Sequence, residues 1–146
     1  MFFICFAFGI VEPQQKFFLV VKKPISTPEA PTAIGAYSQA VEAGGFVFVS
    51  GQLPIEAGSG LVCGGGGAAQ ARQSLVNVRA VLSAAGLGMD DVVKVTVYLV
   101  DMADFAEVNE VYGEFFETPY PARAVVGVKA LPKEARVEIE CIAKTK

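Results

Sequence analysis

Only two stretches of this chain repeat their apolar residues with the period of an α-helix, and that limit decides how everything else can be covered. Ala71, Leu75, Val78, Leu82 and Ala85 recur at four- and three-residue spacing and run up to Gly86, the pattern of an amphipathic helix with a glycine stop. Gln70, Arg72, Gln73 and Arg79 populate its other side and read as a solvated face. Asp101 can cap a second helix in which Phe105, Val108, Tyr112 and Phe115 form the apolar stripe. The remaining apolar segments have strand character. Residues 17–21 read as a strand, and residues 37–41 and 46–50 flank Gly44-Gly45, a two-glycine hairpin signal. Residues 92–100 read as a strand with Val93, Val95, Val97 and Leu99 on one face and Val92, Lys94, Thr96 and Tyr98 on the other. Residues 122–128 and 136–143 read as a closing β-hairpin joined through a loop that contains Pro132. Residues 24–31, with three prolines, and residues 52–63 read as irregular connections.

Two helices can cover one face of such a sheet and no more. The expected architecture is therefore α/β (α+β): a mixed five- to six-stranded sheet with two helices packed on one face. The uncovered face is half apolar and carries Lys94, Tyr98, Glu138 and Glu140 if the alternation holds. Such a face calls for a partner, and closed rings of identical subunits are a common answer. A homo-oligomer is expected.

Composition narrows the function. A chain of 146 residues suits one domain with a real core, placed at residues 24–146 behind an apolar N-terminal extension at 1–23. Apolar residues make up 53% and charged residues 18%, with a mean hydropathy of +0.47; that excess points to surface buried between subunits. A net charge of −3 argues against a nucleic-acid groove, because backbone binding relies on clustered Lys and Arg. Cys5, Cys63 and Cys141 form no CxxC or Cys/His pattern, so no metal site is expected and the thiols read as reduced residues of a cytoplasmic protein. The apolar run at residues 1–11 lacks a basic n-region and an A-x-A-like site, and it is short of the roughly 20 residues a bilayer span needs. No membrane partner is expected; the extension reads as an extra strand or an oligomer-facing arm, with an organellar or secretory leader as the alternative. The run Gly64 to Gly67 lacks the Lys-Ser/Thr of a phosphate loop and reads as a flexible entry to the first helix.

The chain contains no histidine, so Ser-His-Asp and Cys-His catalysis are excluded. The closing segments offer one arginine and two carboxylates instead. Arg123 is either a bidentate clamp for a substrate carboxylate or a strand-edge arginine paired with a nearby acid. Glu138 lies on the strand face opposite Val137, Ile139 and Cys141. It either pairs with Arg136 or Lys94 across the strands or, partly desolvated, exchanges protons with water. Glu140 has the same parity and the same two readings. Tyr37 sits where loop becomes strand, and Ser50-Gly51 ends a strand with a hydroxyl and a glycine whose amide can approach a ligand closely. Asn109 interrupts the second helix and either faces solvent or orients a site.

Taken together, these segments resemble the Rid family of reactive-intermediate deaminases. The matching pieces are Ala33-Ile34-Gly35-Ala36-Tyr37, Phe48-Val49-Ser50-Gly51-Gln52-Leu53-Pro54, Gln70-Ala71-Arg72-Gln73-Ser74-Leu75-Val76-Asn77-Val78 and Val93-Lys94-Val95-Thr96-Val97. They continue with Asp104 to Tyr112, Pro121-Ala122-Arg123, Leu131-Pro132-Lys133 and Val137-Glu138-Ile139-Glu140, so the resemblance spans roughly Pro31 to Ala143. It implies a chorismate-mutase-like fold, a homotrimer with sites between subunits, and hydrolysis of enamine/imine intermediates such as 2-aminoacrylate and 2-iminopropanoate to 2-keto acids and ammonia, without a cofactor. By the same resemblance Arg123 binds the substrate carboxylate, Glu138 holds the water and moves protons, and Tyr37 closes the pocket from a neighbouring subunit. Ser50 and Gly51 line the pocket and Asn109 supports it. Val125 stands where bacterial members often have cysteine, so no thiol role carries over. Rival readings are an RNA-directed endoribonuclease or translation inhibitor and a non-catalytic, ligand-binding or protein-protecting trimer.

Overall fold

The computed structural model describes residues 21–146. The apolar run at residues 1–11, Cys5 and, apart from Val21, the strand expected at 17–21 lie outside them. The elements are β1 (Lys23–Ile25), β2 (Ala40–Ala43), β3 (Phe46–Gln52), α1 (Gly67–Ala84), β4 (Val92–Leu99), α2 (Phe105–Phe115), β5 (Ala122–Gly127) and β6 (Val137–Lys144). Among the described residues the strands form one six-stranded sheet in the order β1-β2-β3-β6-β4-β5. All neighbours are antiparallel except β4 and β5, which run parallel.

The two expected helices form where the apolar repeats lie. Leu75, Val78, Val81 and Leu82 of α1 are fully buried against Val95, Val97, Leu99, Val137 and Ile139 of the sheet. Each such side chain contributes about 1.5–3 kcal/mol of hydrophobic stabilisation. Gly86, at φ +73°, follows the end of α1. Gly44 and Gly45 both take positive φ in the β2–β3 turn, as a two-residue hairpin of this kind requires. No helix among the described residues is long and apolar enough to cross a membrane.

Several local expectations change. Asp101 caps a 3₁₀ turn at Met102–Asp104 that leads into α2, its Oδ1 accepting from the Ala103 amide at 2.9 Å. The stripe of α2 is Val108, Val111 and Tyr112 followed by Phe116, while Phe105 is exposed. In β4 a register shift between Val92 and Lys94 puts Val92 in the core and Val93 outside; a bulge moves residues to the other face, which strict alternation cannot foresee. Residues 24 and 25, expected to be irregular, join Lys23 in edge strand β1, where Pro24 has no outer neighbour among the described residues to supply with a hydrogen bond. Gln70 is buried rather than solvated, its Oε1 accepting from the Arg136 amide at 2.7 Å. Gly67 does more than loosen the helix entry, because a Cβ there would lie 2.7 Å from the Asp104 side chain.

The largest change concerns the closing hairpin: β5 and β6 do not pair. β4, α2 and β5 form a parallel crossover unit, and β6 enters between β3 and β4. A parallel neighbour needs a crossover connection, and α2 supplies it. Residues adjacent in sequence are thereby separated by a strand.

Candidate functional site

The helix side of the sheet carries the first group of candidate residues. Arg123 is in register with Val95 on the parallel neighbour β4, and Val95 is fully buried under the helices. Arg123 therefore projects toward α2. Its guanidinium carbon lies 4.5 Å from the Tyr112 ring centroid and 6.0 Å from that of Phe105. A cavity of about 400 Å³ opens there, lined by Asn109, Tyr112, Gly113, Tyr120, Pro121 and Arg123. Asn109, Tyr112 and Gly113 share one side of α2 through three- and four-residue spacing. The structure thus brings Arg123 and Asn109 to one cavity.

Arg123 makes no ion pair among the described residues, whereas Arg136 binds Asp104 through two hydrogen bonds of 2.9 and 2.8 Å and Arg72 binds Glu114 through two of 2.6 Å. The aromatic faces hold the Arg123 guanidinium by cation–π attraction and leave its forked donors for an anion. Tyr112 was expected as core alone; its place beside Asn109, three residues on, was the available signal. Burial pushes its phenol up to about 12, against the opposing effect of Arg123, and its buried hydroxyl has no partner among the described residues.

The open side carries the second group. Val137, Ile139 and Cys141 are buried, so Glu138 and Glu140 point away from the helices. Glu138 stands directly across from Tyr98 of β4, and Glu140 from Thr96. Phe46, Phe48 and Val126 leave exposed apolar surface around them. The Glu138 carboxylate rests on Gly51: a Cβ there would come 1.8 Å from its Oε1. The register shift between Val49 and Gln52 leaves Ser50 and Gly51 of β3 as a bulge at this point, a device common beside functional sites. Glu138 has no ion pair among the described residues. Arg136 is taken by Asp104, and the Lys94 ammonium donates to the Val95 carbonyl. Burial first, and the Glu140 charge second, raise the Glu138 carboxyl above the ordinary glutamate range.

Tyr37 and Ser50 occupy a third position. Ser50 donates to the Ser38 carbonyl at 2.7 Å, which ties the end of β3 to the loop carrying Tyr37. Tyr37 is half exposed and lines a separate cavity of about 420 Å³ with Thr32, Ala33 and Ser38. Sequence reasoning missed Gln39, which organises this loop: its buried amide accepts from Thr27 N–H at 2.6 Å and donates to the carbonyls of Thr27, Ala30 and Pro31. A glutamine at the inward position of a strand start was the signal. Arg123 and Glu138, expected on one hairpin, thus project to opposite sides of the sheet with β4 between their strands.

Residues 27–145 match the family model described as Endoribonuclease L-PSP. The chain is 51% identical to a RutC family protein of Pyrococcus horikoshii over 123 residues, covering 84% of this chain and 98% of the relative. It is 50% identical over 124 residues to a bovine (Bos taurus) protein named 2-iminobutanoate/2-iminopropanoate deaminase, covering 85% and 90% respectively. Among solved structures it is similar to RidA from the Antarctic bacterium Psychrobacter sp. PAMC 21119, with a TM-score of 0.81, 47% identity, and coverage of 84% of this chain and 98% of that one.

Proposed function

Because the chain belongs to the Endoribonuclease L-PSP, or Rid, family, we propose that it hydrolyses 2-imino acids of the 2-iminopropanoate and 2-iminobutanoate type, and their enamine tautomers, to 2-keto acids and ammonia. The observation that carries this reading is Arg123: a guanidinium on aromatic rings, without an acidic partner among the described residues, at the wall of a cavity. That is the form of a clamp for a small carboxylate. The relative named 2-iminobutanoate/2-iminopropanoate deaminase supports the choice of substrate.

In this reading Arg123 binds the substrate carboxylate and Asn109 supports it. Glu138, as carboxylate, takes a proton from water as its oxygen adds to C2 of the protonated imine. The product is a carbinolamine. Glu138 then returns the proton to the nitrogen; as the C–N bond breaks and ammonia leaves, the carbinolamine hydroxyl gives its proton to the Glu138 carboxylate, the carbonyl of the keto acid forms, and ammonia takes that proton away as ammonium. An imine is already electrophilic, so orientation and one acid/base group are enough to accelerate its hydrolysis.

Arg123 and Glu138 face opposite ways on one sheet, so the site is proposed to be completed between copies of the chain in a homotrimer. Arg123 and Asn109 come from one copy and Glu138 from the next, with Ser50 and Gly51 beside it. Tyr37 closes the pocket. The exposed apolar residues around Glu138 support burial of that face.

The test generates 2-aminoacrylate from serine with an excess of a dehydratase and follows its decay, with the mass of the protein in solution measured by light scattering. Acceleration by the wild type, loss of it in Arg123→Ala, and a mass of three chains are expected. Wild-type decay no faster than in buffer would refute the deaminase reading. A fully active monomer would refute the shared site alone. Cleavage of RNA abolished by Arg123→Ala would favour the ribonuclease in the family's description instead.

A further inference from the structure

Glu140 is the one carboxylate singled out in the closing strand that the proposed reaction does not use. It lies two residues from Glu138 on the same open face. Tyr98 is directly opposite Glu138 in the ladder, the position at which cross-strand side chains interact. Its hydroxyl nevertheless leans one pair along and donates to Glu140 Oε1 at 3.1 Å. Glu138 is thereby left with no hydrogen bond from any described side chain, although it is half-buried. Gly51 makes room for it from the other flank.

We propose that Glu140, with Tyr98, is a positioning residue for Glu138: it draws the phenol away, leaving the Glu138 carboxylate free of side-chain hydrogen bonds for water and substrate, and sets a second carboxylate charge beside it. The inference rests on the reading of Glu138 as the acid/base of the site.

The groups that face Glu138 are few. From β6 there is Glu140, and from β4 Tyr98 with Thr96 and Lys94 farther along. From β3 there is Gly51, beside the bulge residue Ser50, neither of them charged. Arg136, two residues before Glu138, is turned to Asp104. Lys94 lines a small cavity of about 170 Å³ with Thr96 and Glu140 but makes no ion pair with either glutamate. Among the described residues, the charge that acts on Glu138 is the negative one of Glu140. It reinforces the effect of burial, and both favour the protonated form. A carboxyl placed this way takes and returns a proton nearer to neutral pH, where a shuttle works best.

The test is the pH dependence of imine decay, read beside a carbon NMR titration of the Glu138 carboxyl that needs no activity. Wild type, Glu140→Gln, Glu140→Asp and Tyr98→Phe are compared. Glu140→Gln is expected to move both the kinetic bend and the NMR midpoint to lower pH. Glu140→Asp should restore them toward wild type, because it keeps the charge. Tyr98→Phe, which keeps both carboxylates, should leave the midpoint on the high side. Unmoved midpoints in Glu140→Gln, or equal shifts in Glu140→Gln and Glu140→Asp, overturn the proposal. Should Glu140→Gln fail to fold, added salt is expected to lower the wild-type NMR midpoint by screening the same charge, and a salt-independent midpoint then counts against it. Failure of the underlying reading looks different: Glu138→Gln would retain the wild-type rate and bend.

Discussion

Arg136 and Arg123 both reach toward the second helix, and they end in opposite states. Arg136 meets the buried Asp104 just before α2 and is held by two charge-assisted hydrogen bonds. Gln70 fixes its backbone amide from α1. That corner joins both helices to the start of β6. Arg123 meets rings in place of a carboxylate, and its fork borders a cavity. One arginine, itself part-exposed, has its charge paired with a buried carboxylate, whereas the other is only positioned by the fold. Such a difference separates a structural ion pair from the proposed anion clamp.

The contrast can be broken most directly at its two arginine sites. Arg123→Ala is expected to lower kcat/KM for imine hydrolysis by about a hundredfold, the scale of losing charged hydrogen bonds of about 3 kcal/mol, with no fall in Tm. Asp104→Ala should do the reverse, lowering Tm while KM stays near wild type. Similar signatures from both variants, in parallel thermal melts and steady-state kinetics, would erase the distinction.

Gly51→Ala probes the opposite face. Its new Cβ must displace the Glu138 carboxylate, the movable end of a side chain. Activity should fall about tenfold, part of the roughly 10²–10⁴-fold that a positioned acid/base contributes. The fold should survive, as read by circular dichroism.

A smaller effect is expected in stability. The Glu138 carboxyl is raised in the fold by burial and then by Glu140, so the folded state binds this proton more readily than the unfolded one. The stability it contributes is complete below the unfolded pKa and is lost as pH rises through the folded pKa. Glu138→Gln should therefore melt slightly above wild type at neutral pH, with the gap closing in acid. Melts showing the gap widen in acid would contradict that sign. Arg72→Ala should change least: its partner Glu114 and Arg72 itself are both about half exposed, and such surface pairs contribute little. A large loss of activity or Tm there would mean that exposed pairing matters more than the comparison allows.

Much of this was legible without coordinates. The helices, the β2–β3 turn and the inward face of β6 follow from local periodicity and from glycines at a tight turn. The residue types of the candidate site were also legible, because an unexplained arginine and paired carboxylates stand out in strands otherwise filled with valine and isoleucine. Their grouping was not. Arg123 and Glu138 looked like neighbours because their segments follow one another, yet β4, some 30 residues upstream of β5, lies between them. Val92 and Val93 exchanged faces through a bulge that alternation cannot reveal. Tyr112 read as core because the same helical stripe that buries it also carries it beneath Arg123.

By itself, then, the sequence determined the two helices, most of the strands, the covered face and the chemical vocabulary of the site. Those depend on interactions within a few residues, or on side chains that no plain core strand would carry. The tertiary structure alone decided which strand β6 joins, which arginine finds a carboxylate, and that Arg123 and Glu138 face opposite ways. Those outcomes depend on pairings between distant segments, which crossover geometry selects and local pattern does not encode.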